Sequence, residues 1–236
     1  MLSIRGFGKS YGDHFTVRNL NIEVEAGDVY GFIGHNGAGK TTTIRSCVGV
    51  LDFEEGDILI DGVSVKKDPM GCKKKIAYIP DNPDIYASLT GIKYINFISD
   101  VYGVSKEDRE KRIAHYAGLF ELTSKLGDKI SSYSHGMKQK LVLIAAFVHE
   151  PKLMILDEPF VGLDPKAAFI VKNELKSLCE RGGAVFFSTH VLEVAEKICN
   201  KIAIIKDGRL IVSGNTDEVK GNETLEELFL ELTDNE

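Results

Sequence analysis

The run Val29-Tyr-Gly-Phe-Ile33 passes straight into Gly34-His-Asn-Gly-Ala-Gly39-Lys40-Thr41. A short apolar strand therefore feeds a glycine-rich turn, and the turn opens a helix predicted from Lys40 to about Gly49. Glycines let successive backbone N–H groups point inward, where they can meet phosphate oxygens. The start of the helix adds its partial positive charge. On this reading Gly34, Asn36, Gly37, Ala38, Gly39 and Thr42 belong to a phosphate-binding turn. Lys40 reaches the β- and γ-phosphates, and the Thr41 hydroxyl holds Mg²⁺. The competing reading is an ordinary glycine-rich strand–helix turn.

The rest of the chain supplies a matching frame. Leu2–Ile4 and Leu20–Val24 read as short strands, and Asp57–Ile60 is a strand ended by the turn Asp61-Gly62. Ile76–Ile79 is a strand stopped by Pro80. Helical spacing takes over between about residues 85 and 150. Ile92, Ile95, Ile98 and Val101 form one stripe; Ile113, Tyr116, Ala117 and Phe120 form another, with Ser105 and Asp108 as a helix cap before it. A third helix is predicted over 135–149. Strand and helix then alternate: strand 153–156, helix 166–180, strand 184–188, helix 191–199, and a hairpin turning at Asp207-Gly208. From Asn222 onward come six acids and no base, with Leu225, Leu228, Phe229 and Leu232 on one face of an amphipathic closing helix.

Composition narrows the class. The net charge of −6 gives no sign of a basic face for nucleic acid and leaves only local patches open. The longest wholly apolar stretch, Leu141–Val148, is far too short to cross a bilayer. The opening residues lack a signal peptide's charged-then-apolar layout. Four cysteines without metal spacing are expected to be buried, reduced thiols.

Three further sites carry chemistry. A buried strand ends in Asp157-Glu158, and neighbouring strand residues face opposite ways, so the two carboxylates can do different work. Asp157 is assigned to Mg²⁺, and Glu158 to a water in line with the γ-phosphate, as general base. The plain alternative is a strand end solvated by acids. His190 follows the strand Ala184–Thr189, so it reaches the same sheet rim and can bond a γ-phosphate oxygen. A structural strand-end histidine is the other reading. Ser134 suits the cap of the helix carrying Leu141 and Ile144, and Gly136 permits close backbone approach. This second helix start is either an ordinary capped helix or a phosphate site for a nucleotide bound elsewhere, for instance on a second copy.

Together these motifs resemble the nucleotide-binding subunit of an ATP-binding cassette (ABC) transporter, over nearly the whole chain. Gly34–Thr41 matches the family's Walker A, and Leu153–Asp157 followed by Glu158 matches Walker B and its glutamate. Gly162-Leu163-Asp164-Pro165 resembles the D-loop, which places Asp164 in the nucleotide set, and His190 resembles the switch histidine. Tyr11 sits where the family has an aromatic that stacks on adenine; a half-buried strand-end tyrosine is the alternative. The resemblance implies an α/β P-loop NTPase with a RecA-like core, an antiparallel β subdomain and an α-helical insert. The expected boundaries are about 1–84 and 146–215 for the core and β subdomain, 85–145 for the insert and 216–236 for a closing helix, all in one domain.

Two positions depart from the family pattern. Tyr133-Ser134-His135-Gly136-Met137 replaces the usual Leu-Ser-Gly-Gly-Gln. That form is similar to the branch serving exporter-type, ABC-2-like membrane subunits. Asp81, with Asn82, stands where the family usually has glutamine, and is a candidate for Mg²⁺ or the attacking water. The resemblance further implies ATP and Mg²⁺ as cofactors, catalysis by Lys40, Glu158 and His190, closure over ATP with a second copy or a homologous ATPase subunit, and a polytopic membrane partner. It places the chain on the cytoplasmic face of the membrane, as a peripheral subunit. The competing functions are a cassette ATPase acting on soluble partners, and a GTPase or small-molecule kinase. Against a GTPase, Asn200-Lys-Ile-Ala203 lacks the acid a guanine reader needs.

Overall fold

The first strand, β1 (Leu2–Tyr11), pairs antiparallel with β2 (His14–Val24), Leu2 facing Val24 and Tyr11 facing His14. Both are much longer than the runs legible in the sequence. Glycines and charges interrupt the stretch Arg5–Lys9 after the run Leu2–Ile4. The ladder absorbs them as irregularities between Ile4 and Phe7 and again on either side of Lys9, which leaves Phe7 fully buried. The computed structural model describes residues 1–12 and 14–234.

After β3 (Val29–Ile33) and α1 (Lys40–Cys47) come β4 (Glu55–Ile60) and β5 (Val63–Ser64). They complete a four-stranded antiparallel sheet ordered β2-β1-β4-β5. Helix α2 (Pro69–Lys73) was not legible in the sequence. It has five residues, begins on proline, and is capped by Asp68, whose carboxylate accepts the Gly71 N–H at 2.8 Å. Strand β6 (Ile76–Ile79) follows.

The chain divides into two compact units, one made of Met1–Tyr78, Lys152–Pro159 and the chain from Leu175, the other of Ile79–Pro151 and Phe160–Glu174. The second unit holds α3 (Gly91–Val101), α4 (Lys106–Leu119), α5 (His135–Val148) and the first part of α6 (Pro165–Glu180). Thr90, Ser105 and Ser134 cap α3, α4 and α5 by accepting N–H bonds from Lys93, Asp108 and Met137. Helix α5 is buried continuously from Leu141 to Val148, and its Phe147 stacks on Tyr116 at 5.3 Å between centroids. Beyond it, the His149 ring lies flat on Tyr102, centroids 3.7 Å apart. The inward face of α3 differs from the expected stripe. Gly91, Tyr94, Ile95 and Ser99 are buried, while Val101 is exposed. Tyr94 and Ser99, whose hydroxyl donates to the Ile95 carbonyl at 2.8 Å, share the buried face, which is offset from the isoleucine stripe.

The first unit also carries β7 (Leu153–Asp157), β8 (Ala184–Thr189), α7 (Leu192–Ile198), β9 (Lys201–Lys206), β10 (Arg209–Asn215), α8 (Thr216–Lys220) and α9 (Leu225–Asp234). Its large sheet runs β10-β9-β3-β8-β7-β6. β3 is parallel to β8 and β9, β7 is parallel to β8, and β10 closes the sheet antiparallel to β9. These parallel strands are buried along most of their length and mostly apolar, because both their faces are covered. Phe186 sits at the centre, with its ring 5.5 Å from Phe32 and 5.9 Å from Tyr30. The same core takes in Leu2, Phe7 and Leu20 of the antiparallel sheet, so the two sheets of this unit share one interior.

The closing segment is two helices rather than one. It breaks at Gly221 and restarts at Leu225, and residues 235 and 236 lie outside the described residues. All four cysteines are free and buried, as expected, and burial pushes the Cys179 thiol up to about 12. Among the described residues no helix is long and apolar enough to cross a membrane.

Candidate nucleotide site

Register alone brings three loops to one level. Ile33 pairs with Thr189, and Asp157 pairs with Ser188. The turn after β3, the acids after β7 and His190 after β8 therefore leave the sheet at the same rim.

The turn ends on Gly39, at φ 106°. That conformation is open to glycine, and a Cβ there would lie 2.6 Å from Val17 Cγ2 and 3.1 Å from Thr16 O. No side chain caps α1, so its first N–H groups face the turn. Lys40 folds back under the turn, 6 % exposed, with Nζ donating to Gly34 O at 2.6 Å and His35 O at 3.2 Å. Burial holds the Lys40 ammonium below its usual range, and the nearby Glu158 and Asp157 carboxylates oppose that. Thr41 is exposed at the helix start, Thr42 is half-buried, and Thr43 Oγ1 donates to Gly39 O at 2.9 Å.

The two acids separate by a different route from plain strand alternation. Asp157 is the last strand residue and is buried, whereas Glu158 turns out of the strand at φ 49°. Ser188 locks this arrangement. Its Oγ donates to Asp157 Oδ1 at 2.5 Å and accepts the Glu158 N–H at 3.0 Å. Glu158 Oε1 then lies 3.0 Å from His190 Nδ1 and 3.7 Å from Lys40 Nζ. Neither approach has hydrogen-bond geometry, so this shielded oxygen accepts no hydrogen bond. Lys40, Glu158 and His190 thus converge, as their motifs imply. Ser188 was missed: a serine two residues before a strand-end histidine has no sequence signal beyond its position.

Tyr11 is more exposed than a half-buried strand end, at 52 %, with Lys9 Nζ 5.3 Å from its ring centroid. The remaining candidates belong to the second unit. Ser134 caps α5 and is exposed. A Cβ on Gly136 would lie 3.0 Å from Gly162 O, so the start of α5 and the chain before α6 run close together. Asp164 accepts the Ala167 N–H at 2.8 Å and pairs with Lys140 at 2.7 Å. The Lys140 hydrogen bond holds its carboxyl below the usual range. Asp81 lies exposed in the loop after β6.

The family model for ABC transporters matches residues 17–161 of this sequence. The chain belongs to the ABC transporter family. It is the ATP-binding and ATP-hydrolysing subunit of such a transporter, and its fold is that of the ABC ATPase cassette. Among relatives, the ABC-type transporter ATP-binding protein EcsA of Bacillus subtilis is 34 % identical, over 99 % of this chain and 96 % of EcsA. Nod factor export ATP-binding protein I of Cupriavidus metallidurans is 31 % identical, over 94 % of this chain and 74 % of that protein. A solved ATP-binding subunit of an ABC transporter superposes with a TM-score of 0.95 at 32 % identity, covering 99 % of both chains.

Proposed function

We propose that this ABC subunit couples ATP hydrolysis to export through a polytopic membrane partner, with the rim of the large sheet as its catalytic site. The convergence of Lys40, Glu158 and His190 on that rim carries the reading. The N–H groups of Gly34–Gly39 and the start of α1 hold the β- and γ-phosphates, and Lys40 neutralises them. Tyr11 stacks on adenine. Glu158 takes a proton from the attacking water as the water oxygen bonds to the γ-phosphorus, the bond from the γ-phosphorus to its bridging oxygen breaks, and ADP leaves with the electron pair. His190 donates a hydrogen bond to a γ-phosphate oxygen as negative charge gathers there.

Thr41 and Asp157 hold Mg²⁺, with Asp81 as a third candidate. Their hydroxyl and carboxylate oxygens suit this hard cation. Mg²⁺ takes one or two carboxylates together with substrate phosphates, so it needs no dedicated all-protein cage. When bound, it neutralises charge on the phosphate oxygens.

Ser134, Gly136 and Asp164 complete the site across a second copy or a homologous subunit. The exposed, capped start of α5 supports this, since it is a second phosphate-binding helix end on a chain that already has one. Residues 85–145 act as a helical subdomain, and the membrane subunit docks on the insert around residues 80–130 from the cytoplasmic face. The export direction is supported by the Tyr133–Met137 form and by the relative named for Nod factor export.

Glu158→Gln tests the whole reading. With Mg²⁺ and ATP the variant is expected to run as a dimer on gel filtration while hydrolysing nothing. A monomer that still binds ATP would remove the closing dimer.

A further inference from the structure

Helix α9 turns Leu225, Leu228, Phe229 and Leu232 inward, and Phe229 is buried. The Phe229 ring meets the imidazole of His35 edge-on, with centroids 4.7 Å apart and planes at 63°. His35 is the second residue of the glycine-rich turn. Its carbonyl accepts two of that turn's bonds, one from the Ala38 N–H at 3.2 Å and one from Lys40 Nζ at 3.2 Å. The residue whose carbonyl organises the turn is thus held by its side chain from α9.

The start of α9 is tied to α7. Leu225 N–H donates to Glu196 Oε2 at 3.3 Å, and Lys220, at the end of α8, pairs with Glu196 at 2.9 Å. Glu196 lies in α7, the helix that follows His190. One short helix therefore touches both the phosphate turn and the element behind His190. His35 is exposed apart from this contact. Exposed side chains ordinarily sample several rotamers, and an aromatic edge contact selects one.

We propose that Phe229 is a positioning residue for nucleotide binding. By packing on His35 it holds the turn in the arrangement that receives a triphosphate, so the docking of α9 is read out as ATP affinity. A turn that is competent only part of the time binds more weakly in proportion to that fraction. The proposal rests on the reading that this turn binds ATP.

The test uses the full chain and a fluorescent ATP analogue with Mg²⁺. Phe229→Ala and His35→Ala are each expected to raise Kd and the KM for ATP about two- to tenfold, the range an aromatic pair of this kind is worth, with kcat changed less than about twofold. The double variant is expected to be no weaker than either single, and Phe229→Tyr, which keeps the ring, to bind like the parent. A parent-like Kd in His35→Ala overturns the proposal, as does multiplication of the two effects in the double variant. His35→Ala decides the matter even where Phe229→Ala fails to fold, because His35 is exposed. Failure of the underlying reading looks different: the parent chain itself, like Lys40→Ala, would then hold no analogue.

Discussion

The carboxylate of Glu158 lies within 3.0 Å of the His190 imidazole, and the same oxygen is 3.7 Å from the Lys40 ammonium. On the proposed reading a phosphate presented to Lys40 competes with Glu158 for its charge, and His190, 48 % exposed, offers its other ring nitrogen to the γ-phosphate. Binding and chemistry should therefore separate on mutation. His190→Ala is expected to lower kcat by about 10²- to 10⁴-fold while changing ATP affinity by less than about threefold. Stopped-assay phosphate release and equilibrium binding measure the two; equal losses in both would assign His190 to binding instead.

Ser188 holds Asp157 with its hydroxyl hydrogen and Glu158 with its lone pair. Ser188→Ala leaves a buried carboxylate oxygen without that donor and a backbone N–H without an acceptor. Urea unfolding is expected to show a loss of about 1–3 kcal/mol. Turnover should fall further than stability predicts, because Glu158 is no longer fixed in its left-handed conformation. Parent-like kinetics in a folded Ser188→Ala would show that Glu158 is held by other means.

Gly39→Ala places a methyl group against Val17 and the Thr16 carbonyl, at a φ that L side chains rarely adopt. The strain is on the order of 1–3 kcal/mol and falls on the turn itself. ATP affinity is expected to drop more than about tenfold while the far-ultraviolet circular dichroism of the chain stays parent-like. Unchanged affinity would separate the turn from the nucleotide.

His149 gives a pH signature in the second unit. Burial pushes its pKa down to about 4 from the ordinary 6.5, so the folded chain prefers the neutral ring stacked on Tyr102. Its contribution is complete above about pH 6.5 and is lost as pH falls toward about 4, where the unfolded chain takes up the proton first. The full span is worth about 3 kcal/mol. His149→Phe keeps the stack and removes the proton site, and its stability should fall less than the parent's between pH 6.5 and pH 4. Parallel curves for the two proteins would mean that the folded ring takes up its proton as readily as the unfolded one.

Much of the rim was legible because its residues sit where period and punctuation change together. Apolar runs ending at Ile33, Asp157 and Thr189 mark strand ends, and parallel register makes those ends level. The caps at Ser105 and Ser134 were equally legible, being local hydrogen bonds between residues three apart. The illegible parts depend on partners distant in sequence. β1 runs past its glycines because β2 and β4 supply ladders for it, and α3 turns its face to suit Tyr94 and Ser99. Ser188 matters through Asp157 and Glu158, thirty residues earlier, and no spacing rule reaches that far.

The tight turn at Asp207-Gly208 joins more than two strands. Gly208 N–H donates to the Ala38 carbonyl at 3.1 Å, its own carbonyl accepts the Arg18 N–H at 2.8 Å, and its Cβ position lies only 2.2 Å from Thr16 O. A surface hairpin is where an engineer would ordinarily splice an epitope tag or a fluorescent reporter. Here such a graft would prise the antiparallel sheet away from the glycine-rich turn after β3, so a labelled version of this protein should carry its insert elsewhere.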